Sequence, residues 1–195
     1  MKAQLADRVF SAIIAEGLED FSADNLAAVA GVSKRTFYKY FDSKDELLSE
    51  LTERVMQRAA GHFGKYLNDT TLQPLESVYA LFRGFPQVFV PPLQRFLFAL
   101  QRERPDLAQK IFAFRRLQMQ RLEQVFDRAV KAGEMRAGLD SRFTLDALLA
   151  LVERLLVPDY VLQSGQSLEA VFQGIFEIFF HGIAAAQPKA KAKSA

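Results

Sequence analysis

Residues 22–47 constrain this chain more than any other stretch. They read Ser22-Ala-Asp-Asn-Leu-Ala-Ala-Val-Ala-Gly-Val-Ser33, then Lys34-Arg-Thr-Phe-Tyr-Lys-Tyr-Phe41, then Asp42-Ser-Lys-Asp-Glu-Leu47. Three helix starts are packed into this span. Ser22 and Ser33 are each placed to accept a first-turn backbone N–H, and Asp42 or Ser43 to do the same for a third helix. Leu26, Val29 and Ala30 give the first helix an apolar side. Gly31 ends it, because glycine enters the left-handed conformation at little cost. Two short helices joined by a tight glycine turn make a helix-turn-helix.

The second of these helices has a distinctive surface. Phe37 and Phe41 lie four apart and anchor one face in a small core. Around them stand Lys34, Arg35, Thr36, Tyr38, Lys39 and Tyr40. These are cations, hydroxyls and phenols, which hydrogen-bond to base edges and phosphates. Asp42 is the single acid between Ser33 and Lys44, against four cations. Such a face suits the DNA major groove.

The run Ala30-Gly-Val-Ser-Lys-Arg-Thr-Phe-Tyr-Lys-Tyr-Phe-Asp-Ser-Lys44 resembles, without gaps, the signature of the tetracycline-repressor (TetR) family of transcriptional regulators. The resemblance covers about a quarter of the chain. The chain has no strand pattern of useful length and reads as all-α, with about nine helices in total. A three-helix DNA-binding domain (residues 1–47) would be followed by a helical effector-binding and dimerisation domain (48–186). By the same resemblance Lys34, Arg35, Thr36 and Tyr38 would face bases and nearby backbone. Lys39, Tyr40 and Lys44 would hold phosphates. Ser22 and Ser33 would cap the two helices beside the DNA, with Ser22 close to a phosphate. Arg35 is the candidate for guanine, since its fork fits O6 and N7. Two positions depart from the family pattern. Ala23 stands where the family often has a second hydroxyl. Arg35 stands where it often has glycine, which implies a distinctive operator.

Charge has to be located before it is interpreted. The net charge is +2, and it becomes −1 once Lys189, Lys191 and Lys193 of the tail are set aside. The basic character is therefore largely a tail effect, and the case for DNA rests on the patch from Ser33 to Lys44. Cysteine is absent, which removes disulfides and thiol chemistry. The charged N-terminus does not read as a signal peptide, and no uncharged apolar stretch is long enough for a bilayer. The expectation is a cytoplasmic protein with no membrane partner. His62 and His181 have no metal-ligand spacing, and there is no glycine-rich phosphate loop or nucleophile motif. Neither enzymatic activity nor a resident cofactor or metal is expected.

The rest of the chain reads as helices punctuated by proline and glycine. Leu5, Val9, Ala12 and Ile13, with Phe10 and Ile14, mark a helix over 3–16. A long helix from Asp42 or Ser43 to about Leu67 would leave the reading domain and carry a tilt into the next. Pro74, Pro91-Pro92 and Pro105 open further helices. The next runs from Ser141 to Val157, ended by Pro158, and the last from Leu168 to about Ala185. Residues 187–195 lack apolar anchors and should form a disordered basic tail.

Fourteen of the eighteen phenylalanines lie from Phe63 onward. They make a helical core or line an apolar cavity between helices. The resemblance implies a small, largely apolar effector there. Candidate contacts are Tyr79, Arg83, Phe89, Phe112, Arg115, Gln118, Met119 and Tyr160. Arg115 and Gln118 interrupt apolar seams, and a buried polar group needs a partner, either an internal one such as Glu153 or a ligand head group. Leu148, Val152 and Leu155, with Leu168, Phe172, Ile175, Phe176 and Phe179, form seams that would pair with a second copy in a four-helix bundle. The reading that emerges is a homodimeric repressor on an inverted-repeat DNA operator, released by its effector. The alternative is a DNA-binding regulator without a small-molecule effector, controlled by a protein partner or acting architecturally.

Overall fold

Serine caps and prolines divide the chain into ten α-helices among the residues that the computed structural model describes, which are 1–15, 17–18, 20–83, 91–155 and 158–184. They are α1 (Lys2–Ala15), α2 (Ala23–Val29), α3 (Lys34–Tyr40), α4 (Lys44–Leu67), α5 (Pro74–Arg83), α6 (Pro91–Glu103), α7 (Pro105–Lys131), α8 (Ser141–Leu155), α9 (Pro158–Ser164) and α10 (Leu168–Ile183). The all-α class holds, and one isolated bridge, between Met135 and Ala184, is the extended pairing seen. The helix beyond the expected nine is α9. Pro158 was expected only to stop its predecessor. It opens a new helix instead, since proline's missing N–H costs nothing in a first turn. Ser43, rather than Asp42, caps α4.

Two apolar cores organise these helices. The first joins Leu5, Val9, Ile13, Phe21, Leu26, Phe37 and Phe41 of the helix-turn-helix head to Leu47, Leu48 and Leu51 of α4. It also takes in Phe96 and Leu100 of α6 and Leu107, Ala108 and Ile111 of α7. The head is therefore packed directly onto the α6–α7 corner. The Phe21 and Phe96 ring centroids are 5.5 Å apart. Phe10, expected in this core, is only half-buried against it. The second core lies at the far ends of α4 and α7, where Phe63, Leu67, Leu122, Val125, Phe126 and Ala129 meet α5, α8 and α10. At 24 and 27 residues, α4 and α7 run about 36 and 40 Å and span both cores.

The seams expected to pair with a second copy are occupied within the chain. Leu148, Phe172, Ile175, Phe176 and Phe179 are buried in the second core, and Val152 and Leu155 are half-buried against it. The side chain of Leu168 lies outside the described residues. Periodicity finds the stripe but does not say which neighbour covers it, and here α5, α7, α8 and α10 cover one another. The outward side of the last helices is different. It carries Phe143, Ala150 and Leu151 on α8 and Ala170, Gly174, Ile178 and Gly182 on α10. Phe143 is 70% exposed and Ile178 is 77% exposed.

Candidate nucleic-acid interface

The head is held by short-range polar bonds. Ser22 Oγ accepts from Asn25 N at 3.3 Å and donates to Asp20 Oδ2 at 2.9 Å, while Ser22 N donates to Asp20 Oδ1 at 2.8 Å. The backbone bond from Ser22, and then its hydroxyl, hold the Asp20 carboxyl below its ordinary value. The predicted cap at Ser22 is thus itself fixed by a residue upstream. Gly31 takes φ +71, as the turn requires. Arg8 of α1 reaches over this turn, and its Nη1 donates to Ala30 O at 2.9 Å. A Cβ on Gly31 would stand 3.0 Å from that nitrogen. Arg8 therefore closes the C-terminus of α2, a role with no local sequence signal because the partner is 22 residues away.

Ser33 accepts from Thr36 N at 3.1 Å, and its hydroxyl lies 3.0 Å from Thr36 Oγ1. Thr36 is half-buried and committed to the cap. Phe37 and Phe41 are buried with ring centroids 5.2 Å apart, and they fix which side of α3 turns outward. That side presents Lys34, Arg35, Tyr38 and Lys39, with Tyr40 half-buried. The Tyr38 ring stands edge-on to Phe37 at 5.4 Å.

The cations divide into two groups. Lys34 Nζ pairs with Asp24 Oδ2 of α2 at 3.0 Å, and this hydrogen bond holds the Lys34 ammonium above its ordinary value. Lys44 Nζ pairs with Glu103 Oε2 of α6 at 2.8 Å and is raised for the same reason. Arg35 and Lys39 have no acidic partner among the described residues. Lys39 Nζ lies 5.9 Å from the Tyr40 ring centroid. Arg35, Lys39 and Tyr38 thus form an exposed group of hydrogen-bond donors on one helix, with no acidic partner among the described residues.

At the start of α4, Ser43 accepts from Glu46 N at 3.1 Å, and Glu46 Oε2 accepts from Asp42 N at 2.7 Å. This is a capping box with its return bond shifted one residue outward. Lys2 also pairs with Glu46. The Lys2 bond, and then the Asp42 amide, hold the Glu46 carboxyl below its ordinary value.

Residues 7–51 match the family described as bacterial regulatory proteins, tetR family. EthR, an HTH-type transcriptional regulator of Mycobacterium tuberculosis, is 50% identical over 42 residues, which is 22% of this chain and 19% of EthR. The chain thus matches under a fifth of that relative's length. The structure of the ketosteroid transcriptional regulator KstR2 of Mycobacterium tuberculosis superposes with a TM-score of 0.70 at 18% identity, covering 95% of each chain. Over residues 7–51 the chain is similar to the TetR family. A transcriptional regulator of the same fold from Saccharomonospora viridis, in complex with choline, gives a TM-score of 0.72 at 17% identity over 95% of this chain and 98% of that one. At these identities the two structures speak for the fold alone. The matched family and these relatives are regulators, not enzymes.

The effector candidates fall in different settings. Gln118 is 4% exposed, and its Oε1 accepts from Arg121 at 2.8 Å. Arg121 in turn donates to Asn68 Oδ1 at 2.8 Å. Arg115 pairs with Glu153 Oε1 at 2.6 Å, which ties α7 to α8. Both polar interruptions therefore have internal partners. Tyr79 and Met119 pack against the second core, with Tyr79 edge-on to Phe180 at 5.3 Å. Arg83, Phe112 and Tyr160 are exposed. Phe89 lies outside the described residues. No helix among the described residues is long and apolar enough to cross a membrane.

Proposed function

We propose that the chain is a dimeric transcriptional repressor that binds an inverted-repeat DNA operator through α3. The observation that carries this reading is the exposed group of Arg35, Tyr38 and Lys39 on a helix fixed by Ser33, Phe37 and Phe41. Arg35 reads a guanine by its two-pronged donor face, and Lys39 holds a phosphate. Lys34 reaches DNA by exchanging Asp24 for a phosphate, an inexpensive trade for so exposed a pair. The second copy docks through the outward seam of α8 and α10, where Phe143, Leu151 and Ile178 would be covered. Two heads related by a two-fold axis require half-site centres about 35 Å or more apart.

Repression would be relieved by a small apolar effector in the distal helices. The choline complex of the Saccharomonospora viridis regulator supports a small-molecule site in this fold. The internal partners of Arg115 and Gln118 favour apolar contacts there over an ionic head group. Selection from a pool of random duplexes tests the core of the proposal. Enrichment of an inverted repeat with a guanine in each half is expected. A pool that stays random, or yields only unpaired half-sites, would overturn it.

A further inference from the structure

Glu103 ends α6 and Arg104 stands at the corner before α7, opposite Lys44 and Asp45 at the start of α4. Two ion pairs of opposite sense cross this gap. Lys44 Nζ donates to Glu103 Oε2 at 2.8 Å, and Arg104 Nη1 lies 3.4 Å from Asp45 Oδ2. Arg104 is itself steadied by Asp106, with Nε to Oδ1 at 2.9 Å and Nη2 to Oδ2 at 2.7 Å. The corner does not wander, because Phe96, Leu100, Leu107 and Ala108 are sunk in the head's own core. Glu103 is therefore presented to Lys44 by a packed surface, which lowers the entropy cost of an ion pair.

Lys44 is one of the lysines that the family resemblance gives to the DNA backbone. Its side chain is 39% exposed, so a phosphate can approach it, but a carboxylate of this same chain already sits on the ammonium. We propose that Glu103 competes with the DNA backbone for Lys44, so that the α6–α7 corner sets how strongly the head holds DNA. The inference rests on the DNA-binding reading above and deepens it. It assigns a tuning role to an acidic residue 59 positions from Lys44. Asp45 and Tyr38 also act on the Lys44 charge, and Lys44 acts on Asp20. Of the acids around it, Glu103 is the one hydrogen-bonded to the ammonium among the described residues.

The test uses the full chain and a fluorescent random-sequence duplex, titrated with NaCl. Glu103→Gln should bind about two- to fivefold more tightly at low salt, the range that a partly exposed pair supports. Glu103→Asp keeps the charge but draws it back by one methylene, and should tighten binding by a smaller factor. In a Lys44→Gln background, removing Glu103 should change nothing. Tightening that persists without Lys44 would show a bulk charge effect and overturn the competition. So would unchanged or weaker binding by Glu103→Gln with circular dichroism and melting as in the wild type. If Glu103→Gln melts lower, the Glu103→Asp result decides by the same criterion. Arg35→Ala and Lys39→Ala guard the underlying reading. If the wild type fails to bind any duplex and these variants do not differ from it, the DNA-binding reading itself falls, and the competition with it.

Discussion

The head core gathers Leu5, Ile13, Phe21, Leu26 and Phe37 beneath helices started by Ser22, Ser33 and Ser43, whereas the distal core stacks Phe82, Phe172, Phe176 and Phe180 on one another. In the head, polar bonds three residues apart set each helix start locally. In the distal core, ring pairs such as Phe82–Phe176 at 5.1 Å and Tyr79–Phe180 at 5.3 Å join α5 to α10 and exist only once those helices have assembled. A head whose helix starts are set by local rules has the caps of α2, α3 and α4 specified independently of the distal helices. A core of mutually stacked rings can be remodelled without disturbing those rules. The α6–α7 corner crosses this divide, since it packs into the head core while α7 continues into the distal one.

That crossing gives the largest expected effect. Phe96 is fully buried and packed on Phe21. Phe96→Ala should cost about 3–5 kcal/mol of stability. Because Phe96 also fills the head core against Phe21, the seat of the helix-turn-helix should loosen and the variant should lose duplex binding under conditions where it remains folded, outweighing relief of the Lys44–Glu103 pair. Phe176→Ala should cost a similar amount and spare duplex binding. Urea unfolding followed by binding at matched folded fractions separates the two. Equal loss of DNA binding by both would erase the functional distinction between the cores.

A second variant probes the distal side from outside. Ile178 projects from α10 and is 77% exposed, so Ile178→Glu should leave the fold intact. If the outward seam is the self-association face, sedimentation should change from twice the 22.0 kDa chain mass to the single chain. An unchanged sedimentation coefficient would rule this seam out as the site of pairing.

Within the head, Arg35 and Lys39 should separate by kind of loss. Arg35→Ala should remove about 1–3 kcal/mol of discrimination at one base pair per half-site, while Lys39→Ala weakens all sequences alike. Competition binding on duplexes differing at a single guanine measures both. Ser33→Ala should cost about 1 kcal/mol of head stability through its lost cap. Ser167→Ala, at the corresponding cap of α10, should cost as much and leave the head's protection from hydrogen exchange unchanged.

These contrasts explain what the sequence could disclose. Ser22, Gly31, Ser33 and Phe37 act within a few residues of themselves, so the helix-turn-helix and its outward face were legible from spacing alone. The stripes of α8 and α10 were equally legible, but Phe172 and Phe176 face Phe82 and one another, and no local rule says that a stripe is covered from within the chain. The outward seam of Ala170, Gly174 and Ile178 is less apolar than the buried one, so hydrophobic periodicity does not mark it. The pairs that modify the site, Arg8 with Ala30 and Lys44 with Glu103, join residues 22 and 59 apart. Their partners become visible only once α1 and α6 have docked.

The smallest expected effect concerns acid. Asp20 and Glu46 are held below their ordinary values of 3.8 and 4.5 by hydrogen bonds that exist only in the folded head. Both are therefore ionised in the folded state at acidities where the unfolded chain would already take up protons. Their contribution to stability is present above the unfolded values and is lost as pH falls through the lowered folded ones. Thermal melts of the chain should thus hold steady near neutrality and decline on acidification below about 4.5. Asp20→Asn should shallow that decline, because the amide takes up no proton in this range and keeps an acceptor for Ser22. Glu46→Gln should shallow it further, since Glu46 serves both Lys2 and the Asp42 amide. A decline as steep as the wild type's in both variants would mean that the acid sensitivity lies in the distal helices, which would reverse the contrast between a polar, locally bonded head and a ring-packed distal core.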